Sequence, residues 1–283
     1  EVVAGQTFTL TTGLDTPANF TGSTGADTFT AQETGLATTD TLTTGDSING
    51  GADTDTLTIA VSGSPAGSTT AGVVTADVEA LSIYNNSTGA YTVDMALMVG
   101  VTDLYVNGGV FATTFSGGDT LANLHLTSTN VAATVTAAAA AIAGSADEAI
   151  ILSSGSSQTA DTTATYNGLE VINFSAAGTT GLKSATVDNS LTLASTALEK
   201  VVVTGDAAAN LTVSLAGASL DTQTSESDAS AAGGVITAHV TKGASVNATV
   251  TMSAQGDFLD YNGAVASTAT LDGGDGADTL QLD

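Results

Sequence analysis

Apolar residues recur at every second position in short runs along this chain, with polar or small residues between them. Six runs follow one pattern, apolar-polar-x-apolar-x-apolar: Val78-Glu79-Ala80-Leu81-Ser82-Ile83, Val101-Thr102-Asp103-Leu104-Tyr105-Val106, Leu121-Ala122-Asn123-Leu124-His125-Leu126, Asp147-Glu148-Ala149-Ile150-Ile151-Leu152, Leu169-Glu170-Val171-Ile172-Asn173-Phe174 and Leu198-Glu199-Lys200-Val201-Val202-Val203. Only Asp147 breaks the first position. Alternation over five or six residues marks a strand with one buried face, because successive side chains of a strand point to opposite sides. The runs begin roughly 20 to 30 residues apart, a period that predicts a parallel β-solenoid whose single coils cannot bury their inner face alone. Extra apolar runs, Leu191-Thr192-Leu193 and Leu211 to Leu215, fall between the main ones and keep an ordinary β-sandwich open as the alternative.

Outside these runs the pattern changes. Thr7 to Leu10 and Asp55 to Val61 are short β-rich stretches separated by glycine-aspartate turns, and Ser62 to Thr70, with Gly63, Pro65 and Gly67, reads as a loop. The stretch from Ala137 to Ala143 has room for one or two helical turns, which are marginal at that length. Ser219 to Gly234, carrying Asp221, Glu226 and Asp228, reads as an acidic surface loop, after which strands resume at Val235 to Val240 and Val246 to Met252.

The turns carry the candidate chemistry. Gly273-Gly274-Asp275-Gly276-Ala277-Asp278-Thr279-Leu280-Gln281 fits every fixed position of the Gly-Gly-x-Gly-x-Asp-x-apolar-x unit that builds calcium-loaded parallel β-rolls. Its glycines permit positive φ and close approach of carbonyls, its Asp offers a hard carboxylate, and Leu280 is expected to face inward. Related copies begin at Gly50, where Asp53 replaces the third glycine and Asp55 holds the sixth position, and at Gly22, where Asp27 does. The wider signature Asp-Ser/Thr-apolar recurs at Asp40, Asp46 and Asp119. Each Asp taken singly is also compatible with a solvated β-turn. The pairs Asp27 and Asp46, Asp40 and Asp55, and Asp260 and Asp278 are each about two nonapeptides apart, a spacing that would stack carboxylates on one edge. Bare stacked carboxylates repel by roughly 4 kcal/mol per close pair at an effective dielectric near 20, so the stacking predicts a divalent ion between them.

Composition sharpens this picture. Asp and Glu number 29 against three Lys and no Arg, for a formal charge of −26. That balance excludes nucleic acid and anionic membrane surfaces as partners, since both need a basic footprint. Phosphate-bearing substrates are disfavoured for the same reason. Cations, above all calcium, are the natural partners. With no Cys there is neither disulfide nor thiolate zinc site, and no stretch is apolar and long enough to insert in a bilayer. The start at Glu1 and the stop two residues after a repeat suggest a piece of something longer. His125 and His239 sit inside alternating strands, where a half-buried or strand-edge histidine is the ordinary state. No His-Glu-x-x-His, phosphate loop or Ser-His-Asp spacing occurs, so no enzymatic activity is expected. A polysaccharide lyase or epimerase β-helix, which would need a base and a cation against a uronate, is the less favoured enzymatic reading. Tyr84, Tyr91, Tyr105, Tyr166 and Tyr261, with no Trp, are a thin supply for carbohydrate stacking.

One resemblance follows from the opening residues. Leu10-Thr11-Thr12-Gly13-Leu14-Asp15, Phe20-Thr21-Gly22, Gly25-Ala26-Asp27-Thr28-Phe29, Thr43 to Gly51 and Val78 to Ile83 resemble the calcium-binding region of Caulobacter-type surface-layer proteins. These are RTX proteins, exported by type I secretion, that fold on extracellular calcium and tile the cell surface. The resemblance implies a secreted, extracellular protein that binds calcium and self-associates into a lattice, or with flanking domains of the same protein. The acidic turns and the lack of cationic partners predict calcium ligands among Asp15, Asp27, Asp40, Asp46, Gly50, Asp53 and Asp55 near the start, and Asp260, Gly273, Asp275 and Asp278 near the end. The expected organisation is RTX-like turns over 1–62, solenoid coils over 63–255 and a closing repeat over 256–283, in one elongated unit. The stalk of a calcium-dependent RTX adhesin or biofilm-matrix protein is the alternative with the same physics.

Overall fold

The alternating runs become parallel strands. The computed structural model describes residues 3–64, 70–127, 131–144, 147–154, 162–177, 189–194, 197–205, 209–215, 224–242, 247–265 and 269–283. It divides into two compact units, Glu1–His125 with Val131–Ala143, and Leu126–Asn130 with Gly144–Asp283.

The first unit holds β1 (Thr7–Thr9), β2 (Thr28–Glu33), β3 (Ser47–Asn49), β4 (Thr56–Val61), β5 (Val74–Ala76), β6 (Ala80–Asn85), β7 (Tyr91–Asp94), β8 (Asp103–Gly109), β9 (Thr113–Gly118), the start of β10 (Asn123–Thr127) and β11 (Ala133–Ala137). Strands β1, β2, β4, β6, β8 and β10 lie side by side in that order, β7, β9 and β11 make a second sheet, and β3 pairs with β5 in a third. Every pairing is parallel with a whole coil between partners, which is the solenoid and not the sandwich. Register stacks like on like. Phe8, Phe29, Leu57, Leu81 and Leu104 form one inward column, and Ala31, Ile59, Ile83 a second. The rings of Phe8 and Phe29 stack with centroids 4.9 Å apart. From Phe29 to Leu104 the first column is completely buried, each side chain contributing about 1.5–3 kcal/mol relative to exposure.

The second unit holds β12 (Glu148–Ser154), β13 (Thr162–Tyr166), β14 (Val171–Ala177), β15 (Asn189–Ala194), β16 (Lys200–Gly205), β17 (Ala209–Leu215), β18 (Thr224–Ala232), β19 (Ile236–Lys242), β20 (Asn247–Thr251), β21 (Phe258–Asn262), β22 (Thr270–Asp272) and β23 (Thr279–Leu282). Even-numbered strands form one parallel sheet and odd-numbered strands another, so the runs at Leu191 and Leu211 are the second wall of each coil.

Three local expectations are corrected. The acidic stretch after Ser219 is a strand, not a loop, where it is described: β18 pairs with β16 on one side and β20 on the other, with Glu226 opposite Lys200. Its positions in register with the inward column, such as Ser227 opposite Val201, carry no large apolar side chain, so its period-two signal is weak and its neighbours set it. The earlier part of that stretch, with Asp221, lies outside the described residues. The alanine run ends β11 and then makes a tight turn, Ala141 N–H donating to the Ala138 carbonyl at 2.9 Å, with no helix. Leu280 is in register with Leu259, but it is 50% exposed because among the described strands β23 pairs only with β21.

Candidate metal centre in the acidic turns

Acidic residues collect where strands begin, and they form ladders. In the first unit the Gln6 N–H donates to Oδ1 of Asp27 at 2.5 Å, the Asp27 N–H to Oδ1 of Asp55 at 2.6 Å, and the Asp55 N–H to Oε2 of Glu79 at 2.9 Å. Asp27 and Asp55 each accept from the coil before and, through their own amides, donate to the acid of the coil after. A parallel ladder joins the Asp15 N–H to Oδ1 of Asp46 at 2.9 Å. In the second unit the Asp147 N–H donates to Oε2 of Glu170 at 3.0 Å, while Ile236, Asp257 and Asp278 make a two-step ladder with bonds of 2.8 and 2.9 Å.

At Asp15, Asp27, Asp46 and Asp257 a Ser or Thr three or four residues upstream closes the turn on the Asp. The Thr11 N–H and hydroxyl donate to Asp15 at 2.9 and 2.7 Å, the Thr43 N–H to Asp46 at 2.6 Å, and the Ser253 N–H and hydroxyl to Asp257, both at 2.8 Å. Ser23 does the same for Asp27 through its N–H and hydroxyl. Hydrogen bonds to a charged acceptor are roughly twice as strong as neutral ones, so these turns hold Asp15, Asp27, Asp46 and Asp257 buried without a cationic side chain. Amide dipoles thus supply part of the counter-charge that these carboxylates need.

Asp55 differs from its neighbours in the ladder. It is fully buried, Oδ1 accepts from Asp27, and Oδ2 has no hydrogen-bond partner. Burial pushes its pKa up, and the charges of Asp27, Glu79 and Asp53 push it further. For Asp27 burial also raises the pKa, but the N–H donors of Ser23 and Gln6 and the Ser23 hydroxyl outweigh it and hold the carboxyl below its ordinary range. The free oxygen of Asp55 shares a small space with a carbonyl. A Cβ on Gly50 would lie 1.6 Å from the Asp77 carbonyl oxygen and 2.5 Å from Asp55 Oδ2, so only glycine leaves both oxygens room. Gly22 stands in the same relation to Asp27 and the Gly50 carbonyl, and Gly273 to Asp278.

The remaining expected ligands are scattered. Asp53 takes the left-handed conformation, φ 76°, in place of the third glycine and is exposed, its Oδ1 accepting from Thr54 at 3.0 Å. Asp40 closes a local turn by accepting from the N–H and hydroxyl of Thr34 at 2.6 and 2.7 Å, so it does not stack with Asp55. Asp27 pairs with Asp55 and not Asp46. Asp275 and Asp278 are exposed in the last nonapeptide. Asp260 is not in a turn: it lies on β21 opposite His239, whose Nδ1 is 2.9 Å from its Oδ2, and Asp257 takes the place beside Asp278. None of the three pairs expected from spacing, Asp27 with Asp46, Asp40 with Asp55 and Asp260 with Asp278, forms, because coils here differ in length.

Glu79, Glu170 and Asp257 were not singled out as site residues. Their signal was present, since Glu79 and Glu170 occupy the second position of the alternating runs and Asp257 follows Ser253 as Asp27 follows Ser23. The Asp55 turn suits a hard cation through an oxygen-only donor set with one oxygen to spare. Among the described residues no three acidic or histidine side chains converge on one point, so a cation here would take most of its shell from carbonyls, such as that of Asp77, and water. The chain matches no protein family, no curated protein and no solved structure.

Proposed function

We propose that this chain is a structural building block of a secreted, calcium-dependent surface layer, in which calcium bound at the acidic turns tightens the solenoid and promotes self-association. The supporting observation is Asp55, a buried carboxylate with an unpartnered oxygen, repelled by the charges of Asp27, Glu79 and Asp53 and lying near the Asp77 carbonyl beside Gly50. A divalent ion there offsets repulsion that the single amide bond leaves unbalanced. The chain's own residues do the positioning: Gly50 keeps the space open, Asp55 and the Asp77 carbonyl border it, and the Asp27 amide on Oδ1 fixes how the Asp55 carboxylate points. An excess of 26 negative charges adds a long-range repulsion between copies that bound calcium reduces. Magnesium substitutes poorly, because it demands a tighter octahedral shell and keeps its water.

Light scattering of the protein across calcium and magnesium titrations, followed by electron microscopy of whatever assembles, tests this reading. Growth into a two-dimensional lattice in calcium alone is expected. A monomer at millimolar calcium contradicts the lattice role and leaves the stalk of a calcium-dependent adhesin as the structural reading.

A further inference from the structure

The five tyrosines divide sharply. Tyr91, Tyr166 and Tyr261 are fully buried, whereas Tyr84, 47% exposed, and Tyr105 stand on the outward face of β6 and β8 in the first unit. His125 of β10 stacks on the Tyr105 ring with centroids 4.1 Å apart and planes 13° from parallel, and its Nε2 lies 2.6 Å from Oδ1 of Asp103. Tyr105 is in register with Ser82, so the ring face turned away from His125 looks along the column toward a residue with one hydroxymethyl group, too short to cover it. Around that open face are hydrogen-bonding groups. The Asn107 amide donates to the Ser82 hydroxyl at 2.8 Å, and the Tyr84 ring borders the same strip beside Gly108, where a Cβ would come within 3.1 Å of it.

We propose that this strip binds a neutral saccharide, a function beyond the calcium-dependent assembly described above. A pyranose has an apolar C–H face, which matches the face of Tyr105 turned away from His125, and a rim of hydroxyls, which match Ser82 and Asn107. Of the donors and acceptors that Ser82 and Asn107 carry, their mutual bond uses one of each, and a flat apolar partner would take water from the rest without replacing it, at a cost in binding. Nucleic acid and uronate-bearing glycans are repelled by Asp103 and by the chain's net charge of −26. The His125 ring, oriented by Asp103, backs Tyr105 and holds it in one attitude, so little side-chain freedom is lost on binding.

The test is a nuclear magnetic resonance titration of the intact chain with cellotetraose, chitotetraose, maltotetraose and mannotetraose, and with tetragalacturonate as the anionic comparison. At least one neutral probe is expected to shift the resonances of Ser82, Tyr84 and Asn107 saturably. Tyr105→Ala and Tyr84→Ala should each weaken that binding about tenfold, the loss of one aromatic contact. Tyr84 is exposed, so its variant carries the test if Tyr105→Ala perturbs folding. The proposal is overturned if no neutral probe shifts these residues, if affinity survives Tyr84→Ala, or if tetragalacturonate binds more tightly than every neutral probe.

Discussion

The Asp27 amide donates to Oδ1 of Asp55 one coil further on, while Oδ2 of the same buried carboxylate has no partner. One oxygen of Asp55 is thus a structural acceptor and the other is uncommitted, and the two roles separate by mutation. In a chelator, Asp55→Ala strands the Asp27 amide and should cost about 1–3 kcal/mol in urea denaturation, the penalty of an unsatisfied buried donor. Asp55→Asn keeps an acceptor and removes the repulsion from Asp27, Asp53 and Glu79, so it should be at least as stable as the parent in chelator. It should lose the parent's gain on adding calcium.

The ladder also sets a pH dependence. Asp55 has a raised folded pKa, so the folded chain binds more protons than the unfolded one just above the ordinary carboxylate range, and stability falls as pH rises through that window. Asp27 has a depressed folded pKa, so its contribution is present above the ordinary carboxylate value and is lost as pH falls through the folded value. In chelator, denaturation midpoints should therefore rise on mild acidification from neutrality and collapse at lower pH. Relief of net charge acts in the same direction at first, but Asp55→Asn should flatten the initial rise while leaving the acid collapse. An unchanged initial rise in that variant would assign it to net charge alone.

The solenoid was legible because Leu81, Leu104, Leu124 and Ile172 recur with period two inside a longer period, and burial of one face leaves no other register. Ser225 and Ser227 hid β18, since a strand pinned by parallel neighbours needs no strong pattern of its own. The glycine-aspartate turns were legible as turns, but their partners were not. Coil length varies, 28 residues from Asp27 to Asp55 and 24 from Asp55 to Glu79, so fixed spacing drew Asp46 and Asp260 into columns that Asp55 and Asp257 occupy. Backbone amides, which satisfy most of these carboxylates, leave no trace in a sequence.

Glycine at position 50 is required by space and not by dihedral freedom. Its φ is ordinary, yet an added Cβ meets the Asp77 carbonyl at 1.6 Å, and backbone must move to relieve that contact. Gly50→Ala should destabilise the first unit by about 1–3 kcal/mol, as overpacking does, and should weaken calcium binding as well. Denaturation and calorimetric titration of the same variant check both.

The inward column sets the scale for comparison. Leu57→Ala removes a fully buried side chain between Phe29 and Leu81 and should cost about 2–5 kcal/mol, against well under 1 kcal/mol for Thr58→Ala on the outward side of the same strand. Equal losses in the two variants would contradict the assignment of inward and outward faces.

Calcium dependence at the Asp55 turn is tested most directly by amide hydrogen exchange of the intact chain in millimolar calcium and in chelator. The amides of Asp55 and Leu57 should exchange about tenfold more slowly with calcium, the protection given by an ion at ten times its Kd, while Val135, on β11 of the second sheet and outside the ladder, changes little. Identical exchange at Asp55 and Leu57 in both conditions would contradict a calcium-tightened solenoid and leave the amide ladder as the whole function of these acids.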